Sequence, residues 1–321
     1  MRAIEFDEFG GPEVLAEVER PDPAPEDGEV LVEVEAAGVN FADILTVAGQ
    51  YAPPESLPHV PGMEVVGRTG DGRRVLGYLT AGGYASKAAV PVRDLVEVPE
   101  GVGAGEAAAL LVQGLTAWHL LRSAARVGAG ETVVVNAAAG GVGSLAVQLA
   151  KRLGAGRVIA TASTEDKRAL ALELGADAAV DGAADGYRER VLDANEGRGV
   201  DVVLDAIGGA VLDQALDALA SFGRVITYGA SAGTGVPTVD PGRLTMHSTL
   251  LGGLWLAPLL KESGAAGEPL RELLRLAAAG QIRPQVGAEY PLSAAAQAHT
   301  DLLARRTTGK LILTVEPRDR D

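Results

Sequence analysis

The run Thr132-Val-Val-Val-Asn-Ala-Ala-Ala-Gly-Gly-Val-Gly-Ser144 is where residue types and spacing point most directly to chemistry. A continuous apolar stretch, suited to a strand buried on both faces, leads into a glycine-rich turn, and a helical pattern opens after it. Such a junction suits a pyrophosphate. Glycine lets the backbone approach the anion, and the helix N-terminus presents unpaired N–H groups at the positive end of its dipole. Ala139, Gly140, Gly141, Val142 and Gly143 are the residues expected to meet the phosphates. The first glycine of the common G-x-G-x-x-G is missing, and the pattern is Ala137-x-x-Gly140-x-x-Gly143. Alone it is a weak signal that a flexible loop would also satisfy, so its setting must supply the weight.

A dinucleotide held there needs a partner for its adenosine ribose about 20 residues further on, at the end of the second strand. That end reads Ala160-Thr-Ala-Ser-Thr164, with no carboxylate before Glu165. Ser163 offers a small hydroxyl, and Lys167 and Arg168 add positive charge one turn later. This set suits a 2′-phosphate, which favours NADPH over NADH. Ser163 or Thr164 also suits a plain helix cap, with Lys167 solvated.

The elements around the turn give it its setting. From Glu131 onward strands expected at 132–136, 157–161, 178–180, 200–205 and 224–228 alternate with helices at 142–153, 165–174, 187–194 and 210–220. A sixth strand is expected within 249–255. Unbroken alternation implies right-handed βαβ crossovers and a doubly wound parallel sheet, a Rossmann arrangement. The loops Asp205-Ala-Ile-Gly-Gly209 and Tyr228-Gly-Ala-Ser231 then follow the fourth and fifth strands, where a dinucleotide crosses such a sheet. Ile207, Tyr228 and Ser231 are accordingly expected beside the cofactor. The first hundred residues are β-rich instead, with short runs at 2–6, 15–19, 30–36, 65–68 and 74–79 broken by Pro, Gly and Asp. A single helical pattern spans 105–125, and the C-terminal part reads helix 270–279, strand 286–290, helix 294–303 and strand 310–315.

Composition narrows the functions available. The 321 residues are 47% hydrophobic and 22% charged, as in soluble globular chains. Acidic residues number 43 against 28 basic ones, a formal net charge of −15 that disfavours nucleic acid and anionic membrane surfaces as partners. Cysteine is absent and the four histidines show no ligand spacing, so no metal site is expected. The uncharged stretch 132–150 is long enough to span a membrane, but Asn136, Gln148 and three glycines interrupt it. Met1 to Phe6 runs into acidic sequence with no apolar core of a signal peptide, so the expected location is cytoplasmic.

Six dispersed segments resemble the zinc-independent quinone oxidoreductase family of the medium-chain dehydrogenase/reductase superfamily. They are Ala36-Ala-Gly-Val-Asn-Phe-Ala-Asp43, Pro61-Gly-Met-Glu64, Gly114-Leu-Thr-Ala117, Asn136-Ala-Ala-Ala-Gly-Gly-Val-Gly143, Gly175-Ala-Asp177 and Thr308-Gly-Lys310. The resemblance implies an α/β chain in three parts: a GroES-like β-rich catalytic domain over 1–115, a Rossmann nucleotide domain over 116–260, and a C-terminal segment over 261–321 returning to the first. Asn40 stands where the zinc-using branch has a metal-binding cysteine, and Met63 where that branch has histidine. Without a Lewis acid to stabilise an alkoxide, alcohol oxidation loses its usual assistance, whereas hydride delivery to a conjugated acceptor does not need it. Asn40 and Tyr51 match positions facing the nicotinamide and substrate, with Asp43 ordering their loop. Thr116 matches a contact to the nicotinamide amide, and Val142 a backbone contact to the phosphates. Leu254, Trp255 and Lys310 are implied as further cofactor contacts. The family often forms homodimers through the last strands of two nucleotide sheets, and 249–255 is apolar enough for that role.

The expected activity is NADPH-dependent hydride transfer to a quinone or an α,β-unsaturated carbonyl. The alternatives are an enoyl-thioester or alkenal reductase, since two of the segments also look like polyketide-synthase enoyl reductase domains, and an NADPH-binding protein without catalysis. An enone reductase must also protonate the α-carbon, and Tyr51 is the titratable candidate.

Overall fold

The protein is described here from a computed structural model covering residues 1–233, 238–265 and 267–316, with no account of the Ser263 side chain. In chain order the first elements are strands β1 (Arg2–Glu5), β2 (Ala16–Glu19) and β3 (Glu29–Val39), then helix α1 (Phe41–Val47). Strands β4 (Glu64–Thr69), β5 (Arg74–Tyr78), β6 (Lys87–Pro91) and β7 (Leu95–Glu97) follow, with helices α2 (Ala104–Ala109) and α3 (Leu115–His119). The alternating series runs β8 (Thr132–Val135), α4 (Gly141–Arg152), β9 (Arg157–Ala162), α5 (Glu165–Glu173), β10 (Ala178–Asp181) and α6 (Tyr187–Ala194). It continues through β11 (Val200–Asp205), α7 (Gly209–Asp217), β12 (Leu219–Thr227), α8 (Pro241–His247) and β13 (Leu250–Gly253). The chain closes with α9 (Leu256–Ser263), α10 (Glu268–Ala278), β14 (Val286–Pro291), α11 (Ala295–Leu303) and β15 (Lys310–Thr314). Two compact units result, one of Met1–Val112 with Leu259–Asp321, the other of Gln113–Pro258.

The first unit is built on a seven-stranded sheet in the order β14-β15-β3-β4-β5-β7, with β6 also pairing β3. In β3 the half facing solvent alternates, Val32 and Val34 inward and Glu33 outward, as a half-buried strand must. Its far half, Ala36 to Val39, is buried throughout, between β4 and β15. Val32, Val34, Val39, Val65, Val90, Leu311 and Leu313 pack into one core with Leu292 and Ala298. The antiparallel register of β15 on β3 sets Leu311 opposite Val39, which brings Lys310 level with Asn40.

The second unit carries six parallel strands in the order β10-β9-β8-β11-β12-β13. Val133 to Val135 and Val202 to Leu204 are fully buried, the run of branched residues that a sheet covered on both faces requires. Strand order reverses between β8 and β11, so the C-terminal ends of those two strands form a topological switch point.

Several local features depart from the sequence expectation: β6, β7, α8 and α9 had no expected counterpart, and β12 begins at Leu219, inside the helix expected at 210–220. The Asn-Phe-Ala-Asp stretch, expected in a loop, opens helix α1. The helical pattern at 105–125 is broken twice by π-helical turns, Leu110–Gly114 and Leu120–Ala124. Apolar periodicity does not register one extra residue in a turn, so spacing alone could not find them.

Candidate active site

The glycine turn joins β8 to α4 with each glycine doing a different job. Ala137 takes a left-handed φ of 51°, and its carbonyl accepts from the Gly140 N–H at 2.9 Å. A Cβ on Gly143 would stand 2.3 Å from the Ala137 carbonyl oxygen and 2.7 Å from Ala138 Cα, so backbone alone fits there. A Cβ on Gly141 would collide with the Gln113 carboxamide. Gly140 is nearly open, its nearest neighbour the Ala137 oxygen at 3.2 Å, and as N-cap it supplies no side-chain partner to the first turn of α4. The helix thus begins without a side-chain cap, at a backbone cradle free of Cβ atoms. The Gln113 side-chain Oε1 beside it is buried and accepts no hydrogen bond among the described residues. These features fit the diphosphate of a dinucleotide.

A buried network missed by sequence reasoning holds this end of the sheet. Asn136 Nδ2 donates to Asp205 Oδ1 at 3.0 Å, tying together the two strand ends of the switch point. Thr161 Oγ1 and the Tyr187 hydroxyl both donate to Asn136 Oδ1, at 2.9 and 2.8 Å. Asp205 also accepts from the N–H groups of Ile207 and Gly208, which curls the following loop. Burial pushes the Tyr187 hydroxyl pKa up, so it acts as a donor. The only signal in the sequence was a lone polar residue ending each of two apolar strands.

The expected cofactor residues of the second unit gather at the same edge. The Ser231 N–H donates to the Ala206 carbonyl and that of Ala232 to Ile207, so the two loops run together. Tyr228 donates its N–H to Asp205 and Leu254 to Thr227, which brings Ile207, Tyr228, Ser231 and Leu254 to the C-terminal ends of β11 to β13. Trp255 is exposed, and Thr116 is buried in α3. At the end of β9 the cap falls to Thr164, whose hydroxyl accepts from the Lys167 N–H at 3.3 Å, leaving exposed Ser163 outside that role. Lys167 is half-buried, and that burial lowers its ammonium pKa. The Arg168 guanidinium donates to the Ala162 carbonyl at 3.1 Å, across the strand end.

In the first unit, Asn40 joins β3 to α1 and is buried with Glu64, Lys310, Asp43, Tyr84 and His299. Its Nδ2 donates to Glu64 Oε1 at 2.8 Å, and its Oδ1 accepts from Lys310 Nζ at 2.8 Å. Lys310 and Glu64, both 0% exposed, form an ion pair, and Glu64 Oε2 accepts from the Val112 N–H at 2.9 Å. Gly38 makes room for the pair: a Cβ there would lie 2.3 Å from Glu64 Oε1. Asp43 Oδ2 accepts from the Asn40 N–H at 2.8 Å and from the Tyr84 hydroxyl at 3.1 Å, and that hydroxyl meets His299 Nε2 at 3.0 Å. Burial pushes the Asp43 carboxyl up to about 7, against the opposing pull of the Asn40 N–H and Lys310. Burial also raises the Tyr84 hydroxyl and lowers His299 to about 4.

The structure sets two of the expected residues of this unit in buried positions. Lys310, expected as a cofactor contact, is wholly buried with its ammonium committed to Glu64 and Asn40, because the β15–β3 register carries it there. Asp43, expected to order its stretch, accepts from the Asn40 N–H at the start of helix α1. Tyr51 is half-buried just beyond α1, its carbonyl accepting from Thr46 Oγ1 at 3.0 Å. Sequence reasoning overlooked Tyr78, a second phenol, whose pKa is raised by burial and by the nearby Tyr51. Among the described residues no group of three or more His, Cys, Asp or Glu is arranged to hold a metal ion.

Comparison with known proteins agrees with this architecture. Residues 26–71 match the model of the alcohol dehydrogenase GroES-like domain, and residues 141–268 that of the zinc-binding dehydrogenase family. A Pseudomonas aeruginosa quinone oxidoreductase is 35% identical over 97% of this chain and 99% of its own length. The structure of a mycobacterial protein complexed with NADPH superposes with a TM-score of 0.90 at 38% identity, covering 98% of this chain and 100% of that one. An Escherichia coli quinone oxidoreductase complexed with NADPH also gives a TM-score of 0.90, at 34% identity over 98% of this chain and 100% of that one. With a β-rich unit, a parallel nucleotide-type sheet and full-length likeness at this level, the chain belongs to the quinone oxidoreductase family of the medium-chain dehydrogenase/reductase superfamily.

Proposed function

We propose that this protein passes hydride from NADPH to a quinone or an α,β-unsaturated carbonyl without a metal ion. As a member of its family the chain is an NADPH-dependent oxidoreductase; the acceptor class and the metal independence are inferred from its own residues. The observation that carries them is the environment of Asn40. Its carboxamide is tied to the Lys310 ammonium and the Glu64 carboxylate, in a buried cluster where a second cation would meet an ammonium already in place. Carboxamide and the Met63 thioether are also poor zinc donors beside the thiolate and imidazole of zinc enzymes.

NADPH supplies a hydride from its nicotinamide ring. The N–H groups of Gly141, Val142 and Gly143 hold the diphosphate, while Ser163, Lys167 and Arg168 receive the 2′-phosphate. Ile207, Tyr228, Ser231, Leu254, Trp255 and Thr116 line the remainder of the cofactor. In the first unit, Asn40 keeps one amide hydrogen beyond the one given to Glu64, and that hydrogen stabilises the oxyanion that forms on the acceptor carbonyl. Tyr51 touches the acceptor and can pass it a proton, which an enone needs at carbon and a quinone takes at oxygen.

The test is NADPH oxidation by chelator-treated protein with a quinone, an enone and an enoyl thioester. Turnover of the first two without zinc is expected; strict zinc dependence would sink the metal-free reading, and preference for the thioester would shift the substrate class. Binding of NADPH with no turnover on any acceptor would favour the non-catalytic alternative.

The protein is further proposed to be a cytoplasmic homodimer joined along β13. That strand ends the sheet, and Leu250 on it is 61% exposed, with Met246 in the preceding helix 84% and Phe222 in the neighbouring strand 78% exposed. Light scattering should give twice the chain mass, and Leu250→Glu should reduce it to one chain. No described helix is long and apolar enough to cross a membrane.

A further inference from the structure

Gln113 lies at the π-helical turn Leu110–Gly114, where an extra residue in the turn redirects the side chains that follow. Its carboxamide rests on Gly141, the first residue of α4: a Cβ there would stand 1.9 Å from Oε1, 2.0 Å from Cδ and 2.2 Å from Nε2. Gly141 is therefore glycine because Gln113 fills that side of the turn. The Gln113 carbonyl oxygen is buried yet accepts from no donor among the described residues. Native proteins rarely leave a buried acceptor unpaired, so this one calls for a donor from outside the chain.

The diphosphate cannot be its partner, because phosphate oxygens offer only lone pairs at neutral pH. The donor must come from a group flanking the diphosphate. On the adenosine side the cofactor is assigned to Ser163, Lys167 and Arg168 at the end of β9. The nicotinamide riboside half remains, with its ribose hydroxyls and carboxamide N–H.

We infer that Gln113 is a cofactor-positioning residue, its side-chain carbonyl accepting a hydrogen bond from the nicotinamide riboside half of NADPH. The contact holds that half against the first turn of α4 while backbone N–H groups hold the diphosphate. This rests on the placement of the diphosphate at the Gly140–Gly143 turn.

The experiment is calorimetric titration of wild type, Gln113→Met and Gly143→Ala with NADPH and with 2′,5′-ADP, which lacks the second phosphate, the second ribose and the nicotinamide. Methionine keeps the length that packs on Gly141 and removes the acceptor. Gln113→Met should bind NADPH about tenfold more weakly, the loss of one buried hydrogen bond, with 2′,5′-ADP affinity unchanged within about twofold. Unchanged NADPH affinity overturns the inference. So does equal loss of both ligands, which would make Gln113 a structural prop of the turn. Should the methionine variant not fold, Gln113→Glu keeps both size and acceptor but sets a charge against the diphosphate. Its NADPH affinity should fall more than about tenfold, and wild-type affinity would overturn the inference. Wild-type binding of NADPH that survives Gly143→Ala unchanged would instead refute the placement at the turn. Dependence on Gly143 with no effect at Gln113 refutes the role of Gln113 alone.

Discussion

Lys310→Met removes the ammonium from a cluster in which Glu64 is as buried as Lys310 itself. Breaking a buried ion pair from one side costs about 3–5 kcal/mol, because the remaining charge is left in a medium that solvates it poorly. Here the remaining carboxylate keeps the Asn40 Nδ2 and Val112 N–H donors, which places the expected cost at the lower end, about 3 kcal/mol. That corresponds to roughly a hundredfold shift in the folding equilibrium, readable in urea unfolding with intrinsic fluorescence and circular dichroism. Adding Glu64→Gln should restore much of the loss, since glutamine carries no net charge and its one side-chain carbonyl oxygen still accepts from one of the two donors, Asn40 Nδ2 or the Val112 N–H. A coupling of about 2 kcal/mol is expected from the double-mutant cycle. If the single variant loses less than about 1 kcal/mol and the cycle is additive, the pair is not a buried charge cluster and the assignment of Lys310 fails. The same variants report on catalysis: Lys310→Met/Glu64→Gln frees Asn40 Oδ1, so turnover should fall even where stability recovers.

Gly143→Ala forces a backbone clash at 2.3 Å and should weaken NADPH binding more than about tenfold while lowering stability by about 1–3 kcal/mol, measured by fluorescence titration and thermal melting. Ser163→Asp with Lys167→Glu replaces the proposed 2′-phosphate partners with carboxylates, so the affinity ratio of NADPH to NADH should fall at least about tenfold; an unchanged ratio would place 2′-phosphate recognition elsewhere. Asp43 and His299 give opposing pH dependences. With the Asp43 carboxyl raised to about 7, the folded state binds a proton that the unfolded state releases, so its stability contribution declines from about pH 4 to pH 7. With His299 lowered to about 4, the unfolded state binds the extra proton below about pH 6.5, so its contribution grows over that range. Asp43→Asn should therefore unmask stability rising from pH 4 to 6.5, and His299→Gln stability falling from pH 4 to 7; identical profiles in urea titrations would refute the network.

The parallel sheet was legible from residues 131 to 228 because its strands are continuous branched runs and its helices carry their own period. Each element reports its type locally, and unbroken alternation leaves few topologies. The glycine turn was legible for a similar reason, since a short segment contains both the strand that feeds it and the helix that follows it. Helix α1 was not, since seven residues beside Asn40 are too few to show a period, and its start depends on Asp43 being buried next to the Asn40 N–H. The roles of Lys310 and Gln113 also lay beyond reading along the chain. Lys310 meets Asn40 from 270 residues away through the register of β15 on β3. Gln113 meets Gly141 only because a π-helical turn aims it there. Local hydrophobic pattern and turn chemistry thus determined the parallel sheet, its helices and the glycine turn between β8 and α4. Strand register and burial decided which polar side chains face one another, because those pairings depend on distances that sequence spacing does not carry.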